Sequence, residues 1–138
     1  MIREKSAGAV VYYLENGKTY ILIEKMRQGH CSFPKGHMEG QETEIETALR
    51  EIKEETNLDV NLDSGFRRTV EYSPYPGCMK EVVFFVAEAQ HKNIKRQEEE
   101  IADLYFLEAE KALAALTFES DKEILRSALE YLKKPRLK

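Results

Sequence analysis

The chain carries only two cysteines, Cys31 and Cys78, in 138 residues. That is too few for a disulfide framework, so stability has to come from a buried core. Basic charge is not in excess: 21 Lys and Arg stand against 25 Asp and Glu, a net charge of −4. No positive field exists that would hold a polyanion unaided, which argues against duplex DNA or RNA as a partner. Long apolar runs are missing as well. The longest candidate, residues 81–87, is strand-sized and far short of the roughly 20 residues that cross a bilayer, so no membrane association is expected. The chain opens MIREKSAG without an apolar signal segment, and a reduced cytoplasm is the expected address. Internal repeats and low-complexity linkers are also lacking. At about 150 residues per domain, residues 1–138 are expected to form one domain.

What is present begins with a hairpin. Residues 6–13 (SAGAVVYY) and 19–24 (TYILIE) are β-forming, and Asn16-Gly17 between them supplies the positive-φ pair of a tight turn. Residues 27–36 (RQGHCSFPKG) read as an irregular loop that delivers the backbone of Gly36 to a fixed place. Thr43, with Glu46 three residues on, predicts a capping box and the start of a helix. In that helix Ile45, Ala48, Leu49 and Ile52 recur at helical spacing and predict one buried stripe. Asn57 closes the helix, because asparagine tolerates the left-handed conformation. Val60 and Leu62 suggest a short strand or extended turn. Residues 69–72 and 81–88 suggest strands joined by SPYPGCMK, followed by a polar segment, 91–100, and a last strand at 104–107. Residues 108–116 and 120–133 read as helices, the second capped by Ser120 with Glu123 in a capping box. The tail KKPRLK is expected to fray.

The first helix is dense in carboxylate. At about 100° per residue, Glu51, Glu54 and Glu55 share one edge beside the apolar stripe. Like charges so placed repel by a few tenths of a kcal/mol each, more when partly buried. A divalent cation reverses that penalty, and carboxylates with a backbone carbonyl are hard oxygen donors suited to Mg²⁺ or Mn²⁺ rather than Zn²⁺. Such ions share their coordination sphere with substrate phosphates. Cleaving a phosphoanhydride needs neutralised phosphate oxygens and an activated in-line water, which bound divalent ions supply, with a carboxylate accepting the proton.

From Gly36 to Leu58 the chain reads Gly36, five residues, Glu42, seven residues, Arg50-Glu51-Ile52, one residue, Glu54-Glu55, one residue, Asn57-Leu58. This resembles the Nudix box, G-x5-E-x7-R-E-aliphatic-x-E-E-x-G-aliphatic. The one departure is Asn57 in place of glycine. The resemblance implies an α+β fold, an α/β/α sandwich with a mixed sheet flanked by the box helix and C-terminal helices. It implies that the Gly36 carbonyl, Glu54 and Glu55 bind metal, with Glu51 a ligand or the base. Arg50 and Glu42 would play supporting parts, Arg50 by orienting a glutamate through a salt bridge. A further glutamate from a distal loop is expected among Glu98, Glu99 and Glu100; Glu100 is favoured and Glu99 stays open. The general base stays open among Glu51, Glu54 and Glu100.

Outside the box the chain is similar to the asymmetric diadenosine tetraphosphate hydrolases. The residues that carry this are Ser6-Ala7-Gly8-Ala9, Phe33-Pro34-Lys35-Gly36-His37, Gly65-Phe66-Arg67-Arg68, Tyr72, Lys80 and the 82–88 strand. A dinucleoside polyphosphate needs cations along its phosphates, for which Lys35, His37 and Lys80 are candidates, and a flat surface for adenine, for which Tyr72, Tyr75 and Phe84 are candidates. His30 and His91 show no partner in the sequence. The substrate implied is a small-molecule nucleotide, diadenosine tetraphosphate cleaved to ATP and AMP, by a protein that is a monomer or homodimer. The alternatives are a nucleoside triphosphate or oxidised nucleotide, ADP-ribose, an RNA 5′ end, or a non-catalytic nucleotide sensor.

Overall fold

The computed structural model describes residues 1–134. Strand β1 (Ile2–Glu15) and strand β2 (Lys18–Met26) form the expected hairpin, each longer than its apolar kernel, with Asn16 and Gly17 at φ 52° and 76°. The segment expected to be irregular instead yields two short strands, β3 (Cys31–Ser32) and β4 (Lys35–His37). Residues this polar have weak strand preference of their own. They pair because β2 and β1 present unfilled edges: Glu24 opposes Ser32, and Ala7 opposes Gly36.

Helix α1 (Glu44–Thr56) begins at the predicted capping box, Thr43 with Glu46, and ends on Asn57 at φ 69°. A cap of this kind stabilises by about 1 kcal/mol. Strand β5 (Val60–Tyr72) is continuous where two short pieces were expected, and absorbs an irregularity between Asp63 and Arg68. Strand β6 (Cys78–Ala89) and strand β7 (Ile101–Glu108) follow, then helix α2 (Ala109–Ala115) and helix α3 (Glu119–Lys133). The tail expectation concerns mainly residues outside the described ones.

The sheet runs β3-β2-β1-β6-β5, with β4 beside β1 and β7 beside β2. It is mixed, since β1 and β6 are parallel while the other pairs are antiparallel. Strand alternation sends successive side chains to two cores. Val10, Ile21, Ile23, Val82 and Phe84 pack with Ala112, Leu116, Leu125 and Ala128 on the α2–α3 side. Ala7, Ala9, Leu22, Val83 and Phe85 pack with Ala48 and Ile52 on the α1 side. The expected α/β/α layering results.

Two further expectations fail. Ile45 and Leu49 are exposed at 38% and 39%, and α1 packs instead through Thr47, Ala48, Ile52, Glu55 and Thr56. The helix is rolled so that an acid, rather than two aliphatic side chains, faces the sheet. Helix α3 is capped by Phe118 without a side-chain hydrogen bond, so Ser120 and Glu123 form no capping box. The Phe118 carbonyl accepts from the amides of Asp121 and Lys122.

Candidate active site

The roll of α1 gathers carboxylates under the sheet. Glu55 is 8% exposed and meets Glu24 of β2, which is 1% exposed. Glu24 follows Leu22 by two residues on the same face, so an acid takes an inward position on an apolar strand. Burial and the neighbouring carboxylate push Glu55 up to about 12, and burial raises Glu24 as well. Two like charges that close cannot both ionise in a dry environment, so the pair holds a proton. One oxygen of each, Glu24 Oε1 and Glu55 Oε1, has no hydrogen-bond partner.

Glu51 lies beside this pair and is fixed from two directions. Gly36 of β4 sits so close that a Cβ there would run into the Glu51 carboxylate, which explains glycine at this position without reference to φ. From the other direction Arg50 Nη1 donates to Glu51 Oε1 at 2.7 Å and to Glu54 Oε2 at 3.2 Å. The same guanidinium reaches Glu42 Oε2 at 2.6 Å through Nε, and the His37 carbonyl at 2.9 Å through Nη2. Glu42 also accepts from Thr47 and from the Glu39 amide. These donors, Arg50 foremost, hold its carboxyl down at about 2. Arg50 is thus the hub that ties β4, the loop before α1 and two acids of the helix. Glu54 is the most open of the three helix acids, its side chain 56% exposed.

Among the described residues no three His, Cys, Asp or Glu side chains are already grouped around one point as ligands. Glu51 is turned to Arg50, and Glu55 to Glu24. The donor set nevertheless fits a hard divalent ion: all oxygen, anionic, with two buried oxygens left unpartnered. Within the distal acidic run, Glu100 lies near enough to Glu24 to oppose its ionisation. Its carbonyl also accepts from the Arg27 amide, and the Glu98 carbonyl accepts from Arg27 Nε at 2.5 Å.

On the opposite side of the sheet lies a cavity of about 470 Å³. Val70 and Tyr72 of β5 and Val82 and Phe84 of β6 form one wall; Phe118, Ser120 and Asp121 at the start of α3 face them, with His30, Ser32 and Lys35 at the β3–β4 end. Lys35 lines this cavity and also lowers the charge cost on Glu24, so it connects the two sides.

Of the expected substrate residues, Lys35, Tyr72 and Phe84 line the cavity. Phe84 is nonetheless a core ring, 1% exposed and edge-on to Phe33 at 5.7 Å, so Tyr72 and Phe118, 42% and 50% exposed, are the faces open to a ligand. His37, Tyr75 and Lys80 are not brought to the cavity. His37 points its ring toward Glu4 at 3.7 Å. Tyr75 sits in the exposed 73–77 turn near Cys78, and Lys80 is opposite Tyr72, beyond Val82 on β6. His30 and His91 do have partners: His30 packs on Phe118 at 5.7 Å, and His91 meets Asp59 at 3.2 Å.

Sequence reasoning missed Glu24, Ser32, Phe118 and Asp121. Only Glu24 left a signal, an acid at the end of the inward-facing row of TYILIE.

The pattern that defines the NUDIX domain matches residues 4–128. The asymmetrical bis(5′-nucleosyl)-tetraphosphatase of Mus musculus is 30% identical over 125 residues, covering 86% of this chain and 84% of that protein. The C. elegans Ap4A hydrolase in a binary complex superposes with a TM-score of 0.85 at 26% identity, over 94% of this chain and 97% of that one. The E. coli dihydroneopterin triphosphate pyrophosphohydrolase shares the fold, with a TM-score of 0.77 at 22% identity over 95% and 99% of the two chains. No helix among the described residues is long and apolar enough to cross a membrane. A carboxylate-lined helix at the expected spacing, on this fold and under this match, means that the chain belongs to the Nudix family, as a pyrophosphohydrolase acting on phosphoanhydride bonds.

Proposed function

We propose that residues 1–138, acting as one domain, hydrolyse diadenosine tetraphosphate to ATP and AMP with Mg²⁺ or Mn²⁺. The observation that carries this reading is Lys35, which borders both a carboxylate cluster and an aromatic-walled cavity of nucleoside size. The likeness to asymmetrical tetraphosphatases supports the choice of substrate.

Nudix hydrolases generally use divalent metals. The Gly36 carbonyl, Glu51, Glu54, Glu55 and Glu100 would hold the ion, and Glu24, buried against Glu55, extends that set. A bound ion would neutralise phosphate oxygens and make a coordinated water acidic. The protein's own part is orientation and proton transfer. Arg50 restrains Glu51 and Glu54 from one guanidinium, which limits the reorganisation these carboxylates undergo when ion and substrate arrive. Glu51 or Glu54 accepts the proton of the attacking water. Lys35 presents its ammonium to the phosphate chain between the two regions, and Tyr72 and Phe118 enclose one adenine.

The test is a panel of diadenosine tetraphosphate, nucleoside triphosphates, ADP-ribose and 5′-triphosphate RNA at equal concentration, with products resolved by chromatography. Diadenosine tetraphosphate is expected to give the highest kcat/KM, with ATP and AMP in equal amounts. A strong preference for a triphosphate overturns the substrate. Retention of full activity by both Glu54→Gln and Glu55→Gln, each expected to lose about 10²–10⁴-fold, overturns the roles of these residues.

A further inference from the structure

We propose that Asp121 and Ser32 read the edge of the nucleobase, so that the cavity selects a purine bearing an amino group at C6 next to a ring acceptor. This rests on the reading that the cavity holds a nucleoside.

Asp121 stands in the first turn of α3 at 8% exposure, and its carboxylate hydrogen-bonds to no other described residue. Its one recorded charge neighbour is Lys35. Ser32 is 2% exposed, and its hydroxyl likewise has no partner. Both line the same cavity, whose remaining wall is largely apolar, formed by Val70, Val82 and Phe84. Each buried polar group left unmade costs about 1–3 kcal/mol, and native proteins leave few. The unpartnered Ser32 hydroxyl, with the Asp121 carboxylate on the same wall making no side-chain hydrogen bond to the described residues, points to a ligand that satisfies both.

Charge sets which way that ligand lies. A phosphate facing Asp121 would meet a like charge in an apolar setting, so the phosphates belong at the Lys35 end, toward Glu24, and the base belongs at the Asp121 end. An ionised Asp121 offers only acceptor oxygens. Adenine offers the matching N6 donor, flanked by ring nitrogens to which the Ser32 hydroxyl donates. A 6-oxopurine presents a carbonyl where the carboxyl oxygen needs a donor, and the two acceptors repel. Stacking on Tyr72 and Phe118 accepts any base, so discrimination falls to these two polar side chains.

The experiment compares kcat/KM for diadenosine and diinosine tetraphosphate in the wild type, Asp121→Asn, Asp121→Leu and Ser32→Ala. The wild type is expected to favour diadenosine by about tenfold or more, chiefly through KM, because the inosine compound leaves buried polar groups unpaired. Asp121→Leu should bring the ratio close to one. Asp121→Asn should lower it in part, since the amide can accept from the 6-amino group or turn its NH2 to a 6-oxo group, and Ser32→Ala should also lower it in part. Asp121→Ala, made alongside, decides the matter if the larger leucine disturbs packing in thermal melts. Equal use of both dinucleotides by the wild type, or an unchanged ratio in both Asp121→Leu and Asp121→Ala, overturns the proposal. If the wild type cleaves neither dinucleotide but cleaves ATP, the substrate reading fails, and the same variants test the base pair of contacts with ATP against ITP.

Discussion

On the α1 side of the sheet polar groups are crowded and engaged with one another: Arg50 serves Glu42, Glu51 and Glu54 together, and Glu55 leans on Glu24. In the cavity on the α3 side they are sparse, with the Ser32 hydroxyl buried and unpartnered and Asp121 set in a largely apolar wall. One region is built to hold fixed charge before substrate arrives. The other leaves its polar groups for the substrate to complete. On the proposed reading, reaction chemistry and substrate choice lie on opposite faces with Lys35 between them, and they should be separable by mutation.

The largest expected effect tests the crowded side. Arg50→Lys should lower kcat about 10–100-fold with little change in KM. A single ammonium cannot serve two glutamates, Glu42 and the His37 carbonyl at once. Steady-state kinetics decide, and a variant with unchanged kcat would show that the glutamates hold their places without the hub. Next comes the cavity side. Phe118→Ala should raise KM roughly tenfold while kcat changes little, as expected for loss of one stacking face. If kcat falls instead, the two faces are not independent.

A smaller effect concerns how α1 is held. Arg67 pairs with both oxygens of Glu44 at 2.8 Å, and Lys5 is 2.6 Å from Oε2. Arg67 foremost, these cations draw the Glu44 carboxyl from the ordinary 4.5 down to about 2. A folded value below the unfolded one means the stabilisation is complete above about pH 5 and is lost as pH falls toward 2. Thermal melts across that range should show a smaller acid-induced drop in Tm for Glu44→Gln than for the wild type. The smallest effect belongs to Asn57→Gly, which restores the family's residue. Glycine relieves the positive φ but loses the bond from Asn57 Nδ2 to the Asn93 carbonyl at 3.0 Å, so stability should move by less than about 1 kcal/mol and activity should not change.

The same division explains what could be read from the sequence. The box was legible because its chemistry is written contiguously on one loop and one helix, where spacing translates directly into angle. Thr43, Glu46 and Asn57 were legible for the same local reason. The roll of α1 was not, since the apolar period at Ile45 and Leu49 predicts a stripe one step aside from the one that packs. Burying Glu55 is favourable only once Glu24, from a distant strand, is placed beside it. The pocket was least legible. Ser32 and Asp121 are ordinary polar residues in a loop and a first helical turn, and only the tertiary fold removes them from water. Ser120 resembled a cap, but the cap of α3 is Phe118, two residues earlier, which leaves Ser120 in the first turn lining the cavity.

The pairing of β4 with β1 bears on timing as well as shape. The Ala9 amide donates to Pro34, and the Met38 amide to Lys5, so the backbone on both sides of Gly36 is stitched to the central strand. The exposed turn at Gln28 and Gly29, a few residues earlier, is closed at its base by bonds from the Gly29 amide to the Met26 carbonyl and from the Met26 amide to the His30 carbonyl, with its tip in solvent. Hydrogen exchange should therefore be fast at the turn and slow across residues 36–38. Fluctuation of that surface turn can then be fast, while the glycine beside Glu51 stays held to the central strand through many such events.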